Sequence, residues 1–502
     1  MKRICGILAI LVLTAATGTA RAQSDASTGS CSLRAAAMTA LAQRPGLQAA
    51  DLNRQAQASG VAAAWGRLLP EVRVDAFYTH MNEDMVLDLD PIRNALIALQ
   101  TGNAVSFANI ESMLTQGRQL SDAERAAVSL KANAGLEQAL PHFQEILKEQ
   151  SFLQGAVTIR QPIFTGGKIL AGIRAAQAQE NMANAKYDAR REEILTEVVV
   201  RYLAVLLAKE NARVREQAEL AVARHEKRAA RLLEQGIIAR HDKLRAEVAL
   251  AEAERNRFDA REKLRIACSA LAAATGSSTQ AITASDTLAF AEAAEKLSFL
   301  QEEVREKNST LRQMREGSTA LKEKASAQFG NYFPTVYAFG MYNLFDHYMI
   351  EKAEPKWAVG IGASFTLFDG ARRTHEYQEA QMEADAMRLM TEDATRSMAL
   401  LARNANMEIA LSRERYLQLA AAEEQAEENT RLNVKRFEEG LGTSLEVLDA
   451  QLQLDATKLQ RAAALHDYYS SVFALCKVSG NTEEFFRQWE IMQSNHKKDG
   501  DE

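Results

Sequence analysis

Two stretches of equal length decide most of what this chain can fold into. From Lys168 to Glu234 there is no proline, and glycine appears only near the start, at Gly172. From Arg372 to Glu438 there is neither. Both are rich in Ala, Glu, Arg, Gln, Leu and Met, which lose little conformational freedom in a helix. Ile194, Val198, Tyr202 and Val205 recur at spacings of four, four and three, an apolar stripe along one side. Each stretch holds 67 residues, about 100 Å of helix at the usual rise. A globular domain cannot enclose a helix that long, so the pair must project as a rod or a coiled-coil-like tube. Gly236 and Gly440 end them in the manner of C′ glycines. Further helices follow over residues 240–275 and 444–478, the second capped by Thr443 or Ser444 with Glu446 in its first turn. The two hairpins therefore bring two turns to one end.

The chain repeats itself. Phe164-Thr165-Gly166-Gly167 and Phe368-Asp369-Gly370-Ala371, Gly236 and Gly440, and Gly276 and Gly480 all stand 204 residues apart. One offset at three markers argues for internal duplication. Upstream, Leu69-Pro70-Glu71-Val72 matches Phe333-Pro334-Thr335-Val336 at an offset of 264, so the first half carries an insertion over residues 81–150. The second half has only a short connector there, around Asp346 to Lys356. The expected organisation is a leader at 1–22, a first repeat at 23–276, a second at 277–480 and a charged C-terminal tail at 481–502. Strands are expected at about 71–79, 156–164, 335–343 and 358–368. In the last, Val359, Ile361, Ala363, Phe365 and Leu367 alternate with small or polar residues. The fold class is mixed and mostly α.

Lys2 and Arg3, the apolar run Ile4 to Leu13 and Ala20-Arg21-Ala22 form an export leader with a cleavage site. Its apolar run is too short to span a bilayer as a helix. If the four strands lie in a membrane, one chain cannot close a barrel, which needs about eight, and the protein must oligomerise. A periplasmic coiled-coil protein with soluble hairpins remains the alternative. A 25% charged fraction with a net charge near −6 and interleaved signs excludes a nucleic-acid surface. There is no H-E-x-x-H and no G-x-S-x-G, and Gly166-Gly167-Lys168 lacks the rest of a phosphate loop. No enzyme, cofactor or metal site is expected. Asp84, Asp88 and Asp90 in the insertion fit no strong metal motif. Cys31, Cys268 and Cys476 read either as small apolar side chains or as an oxidised pair with one thiol left over. His225 and His241, on highly charged helices, read as solvated.

Taken together, Leu68-Leu69-Pro70 before a strand, the Phe164 and Phe368 turns and Leu445-Glu446-Val447-Leu448-Asp449-Ala450 make the chain, from Ser32 to Gly480, resemble the TolC-like outer membrane efflux proteins. The resemblance implies a homotrimer in outer membrane lipid. Three chains would close a twelve-stranded transmembrane β-barrel and a twelve-helix periplasmic tunnel, served by a periplasmic membrane-fusion adaptor and an inner-membrane transporter. It implies that Glu446 and Asp449 line a pore constriction, and that Arg231, Leu232, Gly236, Arg436, Phe437 and Gly440 form adaptor-contact tips. Helices near 46–67 and 240–274 would stack end to end and meet at an equatorial belt. Arg44-Pro45, Asn308-Ser309 and all three cysteines would lie close to it, so that Cys31 could pair with Cys268 or Cys476. Phe437 and Gly442 depart from the family pattern: they stand where an aromatic hydroxyl and an arginine tie the closed end, so other contacts must close it here.

Overall fold

The computed structural model describes residues 29–277, 281–292, 300–345 and 355–500. The expected leader, most of the connector after Phe345 and the last two residues lie outside the described residues. In chain order the first half runs β1 (Gly29–Cys31), α1 (Leu33–Gln43), α2 (Pro45–Gly66), β2 (Glu71–His80), β3 (Met85–Asp88), α3 (Asp90–Gln116), α4 (Asp122–Ala139), β4 (Gln144–Lys148), β5 (Ser151–Phe164), α5 (Lys168–Glu234) and α6 (Arg240–Thr275). The second runs β6 (Ile282–Ala284), α7 (Leu300–Lys307), α8 (Ser309–Phe329), β7 (Thr335–Phe345), β8 (Trp357–Ser364), α9 (Arg372–Glu438), α10 (Ser444–Val478) and α11 (Thr482–Gly500). Contacts divide the chain into two units. One gathers the described parts of Met1–Gly60, Ala176–Leu321 and Met382–Glu502; the other gathers Val61–Ala175 and Lys322–Gln381.

In the first unit the core is a block of α5, where Ile194, Leu195, Val198, Val199, Tyr202, Leu203 and Leu206 are all buried. Around them pack Leu33, Leu271, Leu311, Tyr468 and Leu475 from α1, α6, α8 and α10. Further along α5 burial narrows to Ala218, Val222, His225, Ala229 and Leu232, a 4-3-4-3 spacing that keeps one thin face inward. Alanine on this face lets helices approach closely. The turns that end α5 and α9 are alike. Ile237 N donates to Leu232 O at 2.9 Å and Leu441 N to Arg436 O at 2.8 Å, with Gly236 and Gly440 at φ 72° and 75°. A β-carbon strains that left-handed conformation, so glycine holds it at both turns.

The segment expected to be a charged tail is instead α11, and Phe485, Phe486, Trp489 and Met492 are buried in the core. Their spacing makes an apolar face, and burying it outweighs the charge of the outer side. Trp489 also donates from Nε1 to Asp286 Oδ2 at 2.9 Å. The same oxygen accepts from Leu33 N at 3.1 Å, joining the two ends of this unit's chain.

In the second unit β2, β5, β7 and β8 form one antiparallel sheet in the order β2-β5-β7-β8. Among the described residues, β2 and β8 are its open edges. The insertion is a β-ribbon, β3 with β4, bearing the helical hairpin α3–α4. Arg93 fixes this hairpin, donating to the carbonyls of Glu137, Leu140 and Pro141 at the end of α4.

Candidate functional site

Strand alternation sorts the sheet into two unlike faces. The cross-strand rows Val72–Ile159–Gly340–Val359 and Val74–Val157–Tyr342–Trp357 lie on one face, with Ile361 opposite Ala338. This face carries no charged side chain in those rows and is open: Val72, Val74, Val359 and Ile361 are 63–74% exposed. Tyr342 and Trp357 stand side by side at one end of it, as aromatic groups do at a membrane–water boundary. The other face carries Glu71, Arg73, Asp75, Thr158 and Arg160, by the same register. Arg73 pairs with Glu71 at 2.9 Å, and the Arg160 guanidinium lies 4.1 Å from the centre of the Tyr337 ring. Tyr337 and Phe339 cover Gly362 and Gly360, where a β-carbon would come within 2.6 and 2.9 Å of the rings. The glycines expected as the small face of β8 thus seat two aromatic rings.

The helical hairpin turns meet in a small second core of Ala229, Leu232, Ala246, Phe437 and Val447. Phe437 is 1% exposed and Leu232 8%. Both were expected as exposed tip contacts. Instead they hold the two turns together, because an apolar ring between four helix ends is removed from water at little backbone cost. Arg231, Gly236, Arg436 and Gly440 are exposed, joined by Ile237 and Leu441, two apolar tip residues that sequence reasoning missed.

His225 is the second correction. It is not solvated but 3% exposed, on the stripe of α5. Its Nε2 lies 2.7 Å from Ser444 Oγ at the start of α10, and its ring centre is 4.7 Å from that of Phe437. Burial, and then the neighbouring Arg228 charge, push its pKa down to about 4. The ring is therefore neutral at neutral pH. Arg228 itself pairs with Glu438 at 2.5 Å. His225 thus ties α5 to the start of α10 beside the Phe437 ring. The 4-3-4-3 stripe was a signal that His225 points inward. His241 is exposed, with Nε2 3.6 Å from Asp242.

Glu446 and Asp449 lie exposed on α10. Glu446 completes a capping box: its Oε2 accepts from Thr443 N at 3.0 Å, and Thr443 Oγ1 accepts from Glu446 N at 3.3 Å. Asp449 lines a cleft of about 190 Å³ with Arg215, Glu252, Leu452 and Asp455. Asp455 is buried, and desolvation raises its pKa against the hydrogen bond from Gln451 at 2.8 Å.

The three cysteines are free thiols, and no disulfide joins them. Cys268 and Cys476 are buried in the main core, where desolvation pushes the Cys476 thiol up to about 12. Cys31 is held on β1, opposite Ala284, with its carbonyl accepting from Tyr202 Oη at 2.9 Å. Each thus packs as a small apolar side chain on its own element. In the insertion, Asp84 accepts from Gln150 N, Asp88 from Asp90 N, and Asp90 from Phe143 N with His142 Nδ1 2.6 Å away. These carboxylates shape the ribbon's turns. Among the described residues no helix is long and apolar enough to cross a membrane.

A sequence model described as outer membrane efflux protein matches residues 37–277 and 300–481. The chain belongs to the outer membrane efflux protein family. As a family member it is an outer membrane protein with a large periplasmic portion. Its long helices are those of a periplasmic tunnel, and its open sheet is one chain's contribution to a transmembrane β-barrel. Solved structures agree on the fold. The outer membrane protein VceC of Vibrio cholerae is 16% identical over 89% of this chain and 96% of its own, with a TM-score of 0.66. The outer-membrane channel OprN is 16% identical over 90% of both chains, TM-score 0.68. The CmeC outer membrane channel of Campylobacter jejuni is 13% identical over 90% of this chain and 86% of its own, TM-score 0.63. No curated protein sequence matches the chain significantly. The efflux protein family thus accounts for the open edges of β2 and β8 and for the uncharged rows of the exposed face.

Proposed function

We propose that three copies of this chain form the passive exit duct of a tripartite efflux or type I secretion system. An inner-membrane transporter supplies the energy, a periplasmic adaptor docks on the helical tips, and the duct itself does no chemistry. The observation that carries this reading is the sheet, with one exposed apolar face, one charged face and two unpaired edges. Edges cannot stay open in lipid, because each unpaired backbone group there costs several kcal/mol. A soluble coiled-coil protein would have no use for an apolar face of this extent. Adaptor contact then falls on the exposed members of the tips: Arg231, Gly236, Arg436 and Gly440, with Ile237 and Leu441. Leu232 and Phe437 act behind them.

Glu446 and Asp449 are three residues apart on one exposed face of α10, so a trimer would present them as two rings of carboxylates. Rings of like charge attract cations and concentrate them at a constriction. The test is single-channel conductance of the detergent-extracted protein in a planar bilayer. Cation-selective pores whose current changes with Glu446→Gln plus Asp449→Asn support both duct and rings. Pores indifferent to the double substitution remove the rings and keep the duct. A monomer that stays soluble without detergent removes the duct.

A further inference from the structure

Among the described residues, the insertion between β2 and β5 leaves an apolar helix face uncovered. Along α3, Ile92, Leu96, Leu99, Phe107, Ile110 and Leu114 are all between 41 and 82% exposed. At 100° per residue they fall within about 80° of one another, a single narrow stripe. The opposite side of α3 is already used, with Arg93, Ile97, Thr101 and Ser112 buried. No charged residue occurs between Arg93 and Glu111. A stripe of this length and exposure is far more apolar than a solvated helix needs to be.

We propose that the stripe is covered by other copies of this chain, so that the three α3 helices of the trimer pack on one another above the outer end of the barrel. This rests on the trimeric duct reading. Three observations select the occupant. First, the hairpin is built onto the barrel wall: β2 and β5 pair as far as His80 with Ser151, Met81 N donates to Gln150 O at 2.7 Å, and the β3–β4 ribbon follows. β2 is also an open edge, the one that must meet β8 of the next copy. Closing the barrel therefore brings three identical hairpins together at high effective concentration. Second, the mount is stiff. Arg93 clamps the end of α4, and Asp90 takes Phe143 N at 2.8 Å with His142 Nδ1 2.6 Å away, so the exposed face is held in a set direction. Third, an uncharged face suits a symmetric seam, where each copy meets its own charges. Asn103, exposed in the middle of the stripe, can meet the same amide of its neighbours, as single polar residues do in coiled-coil seams to fix register.

The experiment is thiol cross-linking of Ile110→Cys in the detergent-extracted particle, with Lys131→Cys on α4 as the comparison and particle mass read in parallel. A threefold seam with one thiol per chain can join two chains of three, so up to about two-thirds of the Ile110→Cys chains should run as covalent dimers, and Lys131→Cys chains should not. Particles of three-chain mass without the Ile110→Cys dimer overturn the seam and leave the duct intact. Particles of single-chain mass overturn both. Should Ile110→Cys itself misfold, Phe107→Cys, at a side chain 71% exposed, carries the same reading. A polarity-sensitive label on Phe107→Cys adds a separate check in phosphatidylethanolamine–phosphatidylglycerol vesicles: quenching by brominated lipid would assign the stripe to the bilayer and refute the proposal.

Discussion

Acidification should loosen the helical tips, and His225 should be the reason. The ring is buried, with Nε2 on Ser444 and its face on Phe437, and its pKa is lowered from an ordinary 6.5 to about 4. A lowered histidine pKa means that the packed tip binds fewer protons than the opened one. The stabilising contribution is therefore fully present above about pH 6.5 and is lost as pH falls toward 4. The complete shift is worth about 3 kcal/mol at 1.36 kcal/mol per pH unit. Between pH 7 and pH 5 the loss is about 2 kcal/mol, roughly a thirtyfold rise in the opening constant. The Arg228 charge adds to the penalty on a protonated ring, and Arg228 is itself paired with Glu438. The assay is amide hydrogen exchange at the ends of α5 and α9 and the starts of α6 and α10, corrected for intrinsic rates. His225→Gln places an amide where Nε2 meets Ser444, without the titration, and should flatten the profile. Equal protection at pH 7 and pH 5, or an unchanged pH dependence in His225→Gln, would refute the reasoning.

Three further outcomes follow from packing. Gly166→Ala should destabilise the second unit by about 2 kcal/mol or more, since its φ is 62° and a β-carbon would sit 2.4 Å from Gly330 O; Gly167→Ala, where space is open, should lower the thermal midpoint less. Trp489→Ala should cost about 3–5 kcal/mol in thermal unfolding, through the lost ring and one of the two hydrogen bonds to Asp286 Oδ2, whereas Ile491→Ala on the exposed side of α11 should be nearly neutral. Arg93→Met strips the donors from three carbonyls at the end of α4, and should turn the segment between α3 and α4 into the first site cut in limited proteolysis, with a loss of about 2–4 kcal/mol.

Much of this was legible along the chain because the interactions responsible are local. The absence of proline and interior glycine permits two 67-residue helices, and Gly236 and Gly440 end them through a left-handed turn that needs only neighbouring carbonyls. Thr443 and Glu446 cap α10 by reaching three residues. Alternation in β8 separates two faces whatever the strand pairs with. Pairing partners, by contrast, lie 160 residues or more away for Pro162 and Tyr337, and no local pattern names them.

The tertiary structure decided what each side chain meets. Phe437 looked like an exposed tip and became the centre of a small core, because Ala229, Ala246 and Val447 arrive from three other helices. His225 looked solvated in a charged helix and became a neutral tie between two helices. Of the three cysteines that left a disulfide open, Cys268 and Cys476 are buried and Cys31 half-buried, each on its own element, and a tail rich in charge became a helix because its four large apolar side chains find a core built by α5, α6 and α10. By itself the sequence determined which segments are helices, where they turn and which strand face is apolar, since these depend on backbone conformation within a few residues. Burial, partner and protonation state depend on atoms brought from elsewhere in the chain, and only the folded arrangement supplies them.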